Sequence, residues 1–350
     1  MFPPARLGTA AFVTMAVGVL AALGLPSSAV RAADQEVNVY SFRQEQLIRP
    51  LLDAFTKETG IEVRLVSGKD DALLERLKAE GENSPADILM TVDAGRLYRA
   101  VEAGLLQPVT SSTLDALVPA QYREPSGLWY GLSVRARPIM VAKDRVAPDS
   151  IKSYTDLADP KWKGKVCVRS SGSVYNQSML DAMIERVGVE KTEAWAAGLV
   201  ANFARPPTGG DRDQIKGLAS GECDVAISNS YYLGQMTTSS DEAEKAAAAA
   251  TLIVWPDQDA AGVHVNISGA GVTKSAKNKE NAVKLLEFLA GDAAQAIYAG
   301  DVYEYPLREG IALSPVVAAW GTFKADTLDV SKLGTHNAEA LRIADRVGWR

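Results

Sequence analysis

Histidine and cysteine are scarce in this chain of 350 residues, which has only His264, His336, Cys167 and Cys223. Neither cysteine has a Cys-x-x-Cys partner, and this disfavours a zinc site. The GxSxG, HExxH and GxxxxGK[ST] patterns of common enzymes are also missing, and the glycines of residues 269–271 lack the rest of a dinucleotide-binding pattern. Binding is therefore a stronger hypothesis than catalysis.

Long blocks of lysine and arginine are absent too, and the formal net charge is -6 at pH 7. Proteins that bind nucleic acids present broad basic surfaces, so we expect no nucleic-acid partner. With 47% hydrophobic and 23% charged residues, the composition is that of an ordinary globular protein. A chain of this length can bury a large core and divide into two lobes.

The first thirty-odd residues differ from the rest of the chain. Arg6 is the only early charge, residues 10–25 form an apolar run, and residues 30–32 (Val-Arg-Ala) resemble a cleavage site. This pattern predicts a signal peptide over residues 1–32, with no lipobox cysteine, and a protein exported to the periplasm. A retained membrane anchor is the alternative, but the run is shorter than the ~20 residues that comfortably span a bilayer.

The two cysteines both fall at predicted strands, in residues 165–168 and 223–227. Export to an oxidising compartment favours a disulfide between Cys167 and Cys223, and we expect them to be joined. Two free, buried thiols remain the alternative.

Short apolar runs alternate with amphipathic stretches along the chain, a rhythm that predicts an α/β fold. In the first part we predict strands at 37–42, 61–66 and 86–92 and helices at 45–59 and 70–79. In the second part we predict strands at 165–169 and 224–228 and helices at 178–187 and 192–201, followed by a helix at 279–289. Strands separated by helices indicate parallel sheets, and we expect one sheet in each of two lobes.

Two β-rich stretches, residues 129–140 and 262–268, are candidates for crossings between the lobes. We expect lobe 1 to comprise residues 33–136 and 263–313, and lobe 2 to comprise residues 137–262 and 314–350. Paired crossings would form a hinge, and a ligand would bind between the lobes at the carboxyl ends of strands.

Tyrosines occupy two of these predicted strand ends. Tyr231 and Tyr232 follow the apolar residues 225–227 directly, and Tyr175 lies between the strand at 165–169 and a helix that Asn176 or Ser178 would cap. Position alone does not establish a ligand role, because a single tyrosine is more often an amphipathic packing residue.

Several stretches together resemble the periplasmic ferric-iron-binding proteins of ABC transporters. The resemblance covers nearly the whole mature chain, and its most specific mark is the tyrosine pair in residues 221–232; the other stretches are 39–43, 129–137, 165–178 and 262–273. It implies a monomeric two-lobed periplasmic binding protein with an inner-membrane ABC permease as partner. It also implies Fe(III) ligands at Tyr175, Tyr231 and Tyr232, with Arg135 offsetting the phenolate charge.

One position departs from the family pattern. Many members carry Arg-His-Tyr after the first strand and so supply a ligand from the first lobe, whereas this chain has Arg43, Gln44 and Glu45. Glu45 is a candidate replacement as a hard oxygen ligand. Alternatively, water or a carbonate-like anion fills the open positions, with Arg43, Arg135 and Gln44 as the residues around it.

The chemistry of phenol groups also favours Fe(III). Ionising a phenol of pKa ~10 at neutral pH costs about 4 kcal/mol. A small trivalent cation can offset that cost for three phenols. Ca²⁺ and Mg²⁺ are instead bound mainly by carboxylates, and Zn²⁺ and Cu²⁺ by histidine and cysteine. The alternative ligands are a polyamine, a phosphonate, thiamine or a sugar phosphate. An exported enzyme or a sensor input domain is the alternative of a different class.

The mature chain is predicted to begin near Ala33 and to be released from the membrane. Mass spectrometry of protein recovered from the periplasm should give the mass of a chain cut at that point. An intact N-terminus in the membrane fraction would contradict the prediction.

Overall fold

The computed structural model describes residues 35–68 and 72–350. The signal peptide predicted over residues 1–32 lies outside these described residues. Over the two described ranges, none of the helices has the length and apolar character needed to cross a bilayer.

Nine strands of the described residues form two sheets. They are β1 (Glu36–Ser41), β2 (Glu62–Ser67), β3 (Ile88–Thr91), β4 (Tyr130–Ala136), β5 (Ile139–Ala142), β6 (Val166–Cys167), β7 (Val225–Ile227), β8 (Thr251–Val254) and β9 (Val265–Val272). The order is β2-β1-β3-β9-β4 in the first sheet and β6-β7-β5-β8 in the second. The expected α/β class is confirmed.

Both sheets are mixed, so the prediction of parallel sheets is only partly right. Strand β1 pairs in parallel with β2 and β3, and β6 pairs in parallel with β7. Strand β9, however, is antiparallel to β3 and β4, and β5 is antiparallel to β7 and β8. The antiparallel pairs all involve β5 or β9, each of which follows a crossing from the other sheet and therefore enters its sheet in the opposite direction.

Helices surround the sheets. Those of the described residues are α1 (Glu45–Thr59), α2 (Ala72–Glu80), α3 (Ala94–Glu102), α4 (Ser112–Leu117), α5 (Val174–Val187), α6 (Val189–Ala201), α7 (Asp211–Ser220), α8 (Ser230–Thr237), α9 (Glu242–Ala249), α10 (Lys279–Ala290), α11 (Asp292–Gly300), α12 (Pro315–Ala318) and α13 (Asn337–Val347). Short 3₁₀ turns connect several of them.

Helix α1 shows how the apolar pattern sets these elements. Its apolar residues recur at helical spacing, and Ile48, Leu51, Leu52 and Phe55 are all buried on one face. Gly60 ends the helix because its φ of 74° is a left-handed conformation that glycine adopts without strain, and its N–H donates to the carbonyl of Thr56.

The chain crosses between the sheets from β4 to β5 and again from β8 to β9. The two crossings contact each other, since the N–H of Arg137 donates to the carbonyl of His264 over 3.0 Å. The buried Tyr154 joins them a second time, because its hydroxyl donates to the Arg137 carbonyl and accepts from the His264 N–H. These bonds hold the crossings side by side, as a hinge requires.

The C-terminal segment packs on the helices beside the second sheet. Helix α13 contacts α5 and α6. Beyond it, the indole of Trp349 lies edge-on to Trp195 and Phe203, and its Nε1 donates to the carbonyl of Arg169 over 2.9 Å. The end of the chain therefore supports the loop that follows β6.

A disulfide joins Cys167, the last residue of β6, to Cys223, which lies two residues before β7. Both cysteines are buried against α7, where Gly217 leaves room for the sulfur atoms. The bridge therefore links the chain segments of two neighbouring parallel strands.

Replacing both cysteines by serine should lower the free energy of unfolding by about 4 kcal/mol, because the bridge closes a long loop in the unfolded chain. The two cysteines are 56 residues apart in sequence. Denaturant unfolding of the oxidised protein and of the double variant measures the difference. Thiol labelling under denaturing, non-reducing conditions is the control, and two labelled thiols per chain would contradict the bridge.

Candidate metal centre

Two neighbouring strands of the second sheet carry the three tyrosines. Strand β6 leads through residues 168–173 into α5, whose first turn contains Tyr175. Strand β7 leads directly into α8, whose first turn contains Tyr231 and Tyr232. Because β6 and β7 are parallel and hydrogen-bonded, both helices begin at the same edge of the sheet.

Helix α5 begins four residues earlier than predicted, at Val174, so neither Asn176 nor Ser178 caps it. The side-chain amide of Asn176 instead donates to the carbonyls of Arg169 and Ser170. These bonds fold the preceding loop back onto the first turn of α5. They help to fix the position of Tyr175, which lies in the first turn of the helix and not in the loop before it.

The three tyrosines lie together. The hydroxyl oxygens of Tyr175 and Tyr231 are 3.4 Å apart, and the rings of Tyr231 and Tyr232 are stacked at a tilt with their centres 4.2 Å apart. Tyr231 is buried, whereas Tyr175 and Tyr232 are partly exposed. One cation placed at this edge of the sheet can reach more than one phenol oxygen.

Tyr175 and Tyr232 face a cleft of about 800 Å³ between the two sheets. On the opposite side the cleft is lined by residues that follow the strands of the first sheet, namely Phe42, Arg43, Gln44, Gln46, Ser67, Gly68, Val92 and Arg96. The tyrosines therefore occupy the wall that the second sheet contributes to a shared cleft.

Three guanidinium groups surround the ring of Tyr175. Those of Arg135, Arg169 and Arg137 lie 5.1, 5.2 and 5.7 Å from its centre. Burial raises the pKa of Tyr175, but the charges of Arg135 and Arg169 and the hydrogen bond with Tyr231 outweigh it, so that the pKa is lowered below its usual value. Tyr175 therefore loses its proton more easily than an ordinary tyrosine.

The pKa values of Tyr231 and Tyr232 are shifted in the opposite direction. Burial raises the pKa of both Tyr231 and Tyr232 well above the usual value, and a negative charge on Tyr175 raises both further. Two adjacent phenolates in a buried site repel each other. Ionising all three phenols near neutral pH therefore requires a cation among them.

Arg135 is buried and has unused donors. Its Nη2 donates to the carbonyl of Ile267 over 3.3 Å, while Nε and Nη1 have no hydrogen-bond partner among the described residues. Burial lowers the pKa of Arg135, but the nearby Tyr175, Tyr231 and carboxylates outweigh burial and raise it. Arg135 also lines a small cavity beside Tyr175, together with Asp93 and Asn266. Its charge is held next to the tyrosines.

Arg43 lines the cleft and is paired with a buried carboxylate. Its Nη2 lies 2.8 Å from Oε1 of Glu304, and its Nη1 donates to Oε2 of the same carboxylate and to the hydroxyl of Ser268. Both side chains are buried. The charge of Arg43 is therefore balanced by Glu304, and a contact between Arg43 and a bound anion stays a prediction.

Glu45 does not join the tyrosines. It is the first residue of α1, its side chain is 57% exposed, and it forms an ion pair with Arg49 one turn further along the helix. It is not among the residues that line the cleft, whereas Gln44 is, with its Oε1 accepting from Gln46. At this point of the chain Gln44 therefore lines the cleft and Glu45 does not.

Sequence reasoning missed Arg137, Arg169 and Asp211, which lie beneath the tyrosines. Asp211 is buried and forms ion pairs with both arginines. Arg137 lies in the same stretch, residues 133–137, as Arg135, so the sequence contained a signal that could have identified it. Asp211 had no such signal, because it begins a helix far from both tyrosine segments in sequence. Within the described ranges, no three His, Cys, Asp or Glu residues form a group that could hold a metal.

Comparisons with known proteins identify the family to which this chain belongs. A family model described as bacterial extracellular solute-binding protein matches residues 43–296. Iron uptake protein A1 of Synechocystis sp. is 46% identical over 98% of this chain and 97% of its own length. The Fe(3+)-binding periplasmic protein of Serratia marcescens is 30% identical over 87% of this chain and 88% of its own length.

Among solved structures, a Trichodesmium protein in complex with iron and citrate ligands superposes with a TM-score of 0.86 at 49% identity, covering 90% of this chain and all of the other. The chain belongs to the bacterial extracellular solute-binding proteins. The resemblance to ferric-iron-binding proteins and the two-lobed fold are both confirmed.

In the metal-free protein, Tyr175 should ionise before Tyr231 and Tyr232. Because its pKa is lower folded than unfolded, its contribution to stability is absent in acid, grows as the pH rises through the folded pKa and is complete above about 10. The raised pKa values of Tyr231 and Tyr232 act in the opposite sense and destabilise the fold above that pH.

Tyrosinate absorbance during a pH titration, followed in the protein and in Tyr175→Phe, measures this order. Tyr175→Phe should lack the first ionisation step of the buried tyrosines. An unchanged titration curve would contradict the lowered pKa of Tyr175.

Proposed function

We propose that this chain is a periplasmic binding protein that carries Fe(III) as its ligand, held by Tyr175, Tyr231 and Tyr232, and delivers it to an inner-membrane ABC permease. The chain binds its ligand and catalyses no reaction. The observation that supports this most strongly is the grouping of three phenols on a cleft wall, two of them 3.4 Å apart, with three arginines around the ring of Tyr175.

The electrostatics of the site suit a trivalent cation. The arginines lower the cost of forming the first phenolate at Tyr175. A bound cation offsets both the burial and the charge repulsion that raise the pKa values of Tyr231 and Tyr232. Hard anionic oxygen ligands match a small, highly charged ion. The names of the similar proteins, which refer to iron and Fe(3+), support the same ligand.

Water or a carbonate-like anion completes the coordination in this proposal. Two donor nitrogens of Arg135, which lines the small cavity beside Tyr175, have no hydrogen-bond partner among the described residues and favour such an anion there. Gln44 is the candidate contact from the first-sheet side, since Glu45 points away and Arg43 is paired with Glu304. Closure about the two hydrogen-bonded crossings would bring these groups together.

Replacing Tyr231 or Tyr232 by phenylalanine should lower Fe(III) affinity by more than about 100-fold. The change removes an anionic ligand and keeps the ring, and loss of a mere partner of a metal ligand typically costs 10–100-fold. Titration with Fe(III) against a competing chelator measures the affinity. The red to orange charge-transfer band of a ferric phenolate, read in the same titration, should weaken or shift.

Glu45→Gln is the matched control, at a residue that does not line the cleft. Since this carboxylate is exposed and paired with Arg49, its loss should change affinity by no more than on the order of 1 kcal/mol. Unchanged affinity in both tyrosine variants would end the ferric-phenolate proposal. A large loss in Glu45→Gln would instead show that α1 moves and brings Glu45 to the metal.

A further inference from the structure

The carboxylate of Asp211 lies between the two segments that carry the tyrosines. Its Oδ2 accepts from Nη1 of Arg169, in the loop that leads to Tyr175, over 2.6 Å. Its Oδ1 accepts from the backbone N–H of Asn229, the residue before α8, over 2.9 Å. One buried carboxylate therefore touches both segments without touching any tyrosine.

Arg137, which lies in the first crossing between the sheets, contacts the same groups. Its Nη1 donates to Asp211 over 3.1 Å and to the side-chain oxygen of Asn229 over 2.9 Å, and its Nη2 donates to the side-chain oxygen of Asn176 over 2.6 Å. Asn176 and Asn229 are the chain neighbours of the tyrosine turns. Asp211 and Arg137 together therefore link α5, α8 and the first crossing.

Asp211 is ionised in this setting. Burial raises the pKa of its carboxyl, but the charges of Arg137 and Arg169 outweigh burial and lower it. Its side chain is fully buried, and a buried charge is tolerated only when it is paired and hydrogen-bonded. The carboxylate keeps two arginines over Tyr175 that would otherwise repel each other.

We propose that Asp211 is a positioning residue of the metal centre, which sets the spacing between Tyr175 and the pair Tyr231 and Tyr232. It acts through Arg169, Arg137 and the N–H of Asn229. The inference rests on the proposed function, because its consequence is measured on bound Fe(III).

Asp211→Asn keeps the size of the side chain and one acceptor oxygen but removes the charge that holds the arginines. Asp213→Asn is the matched control, since Asp213 is exposed on the first turn of the same helix and its carboxylate accepts from the N–H of Gly210. Three quantities are measured on each protein: Fe(III) affinity against a chelator, the wavelength of the charge-transfer maximum, and the thermal midpoint of the metal-free form.

We expect Asp211→Asn to lose at least about tenfold in Fe(III) affinity, as partners of metal ligands typically do, and to shift the charge-transfer maximum. Asp213→Asn should change neither. A purely structural role would lower the thermal midpoint and leave the wavelength of the maximum unchanged. Wild-type affinity and wavelength in Asp211→Asn would therefore overturn the inference, whatever happens to the midpoint.

Arg169→Gln tests the same link if Asp211→Asn does not fold, because Arg169 is partly exposed and its loss is better tolerated. It should lower the affinity and shift the band, and Arg169→Lys, which keeps the charge and a donor to Asp211, should restore much of both. Equal behaviour of these two variants and wild type would overturn the inference. If wild type itself binds no Fe(III), the proposed function fails and the inference falls with it.

Discussion

The parallel pairing of β6 with β7 is the constraint on which the rest of the site depends. The two strands place the first turns of α5 and α8 at one sheet edge, and the Cys167–Cys223 disulfide joins their segments behind that edge. Because both tyrosine segments start from the same edge, their phenols meet without a long loop to order, and ordering each loop residue would cost about 1–2 kcal/mol. The site is therefore largely preformed on one lobe.

Buried charge is the second feature that determines the properties of the tyrosine site. Arg135, Arg137 and Arg169 bring three positive charges to Tyr175, and Asp211 and Asp93 bring negative charges to the same region. Taking such groups out of water is unfavourable unless each is paired or hydrogen-bonded. The arrangement is consistent with a site whose full stabilisation requires a ligand, which is how a binding protein couples ligand capture to closure.

The first sheet contributes a cleft wall on which charged side chains are already paired. Glu45 was a candidate replacement for the missing ligand, and in the alternative Arg43 was a candidate contact of an anion. Arg43 is paired with Glu304 and Glu45 with Arg49. Arg43 lines the cleft all the same, together with the uncharged Gln44 and the cationic Arg96, whereas Glu45 does not.

Short stretches of the sequence predict the α/β rhythm, the helix over 45–59 and the strand ends that carry the tyrosines. Helical and strand periodicities are local, and so these features are readable from neighbouring residues. The relation to ferric-iron-binding proteins was also visible in the sequence, from the stretches that resemble that family. The folded chain alone reveals the antiparallel direction of β5 and β9, the ion pairs of Asp211 near the tyrosines and the pairing of Arg43 with a carboxylate 261 residues away. Those contacts depend on how distant segments pack, which no short-range pattern in the chain specifies.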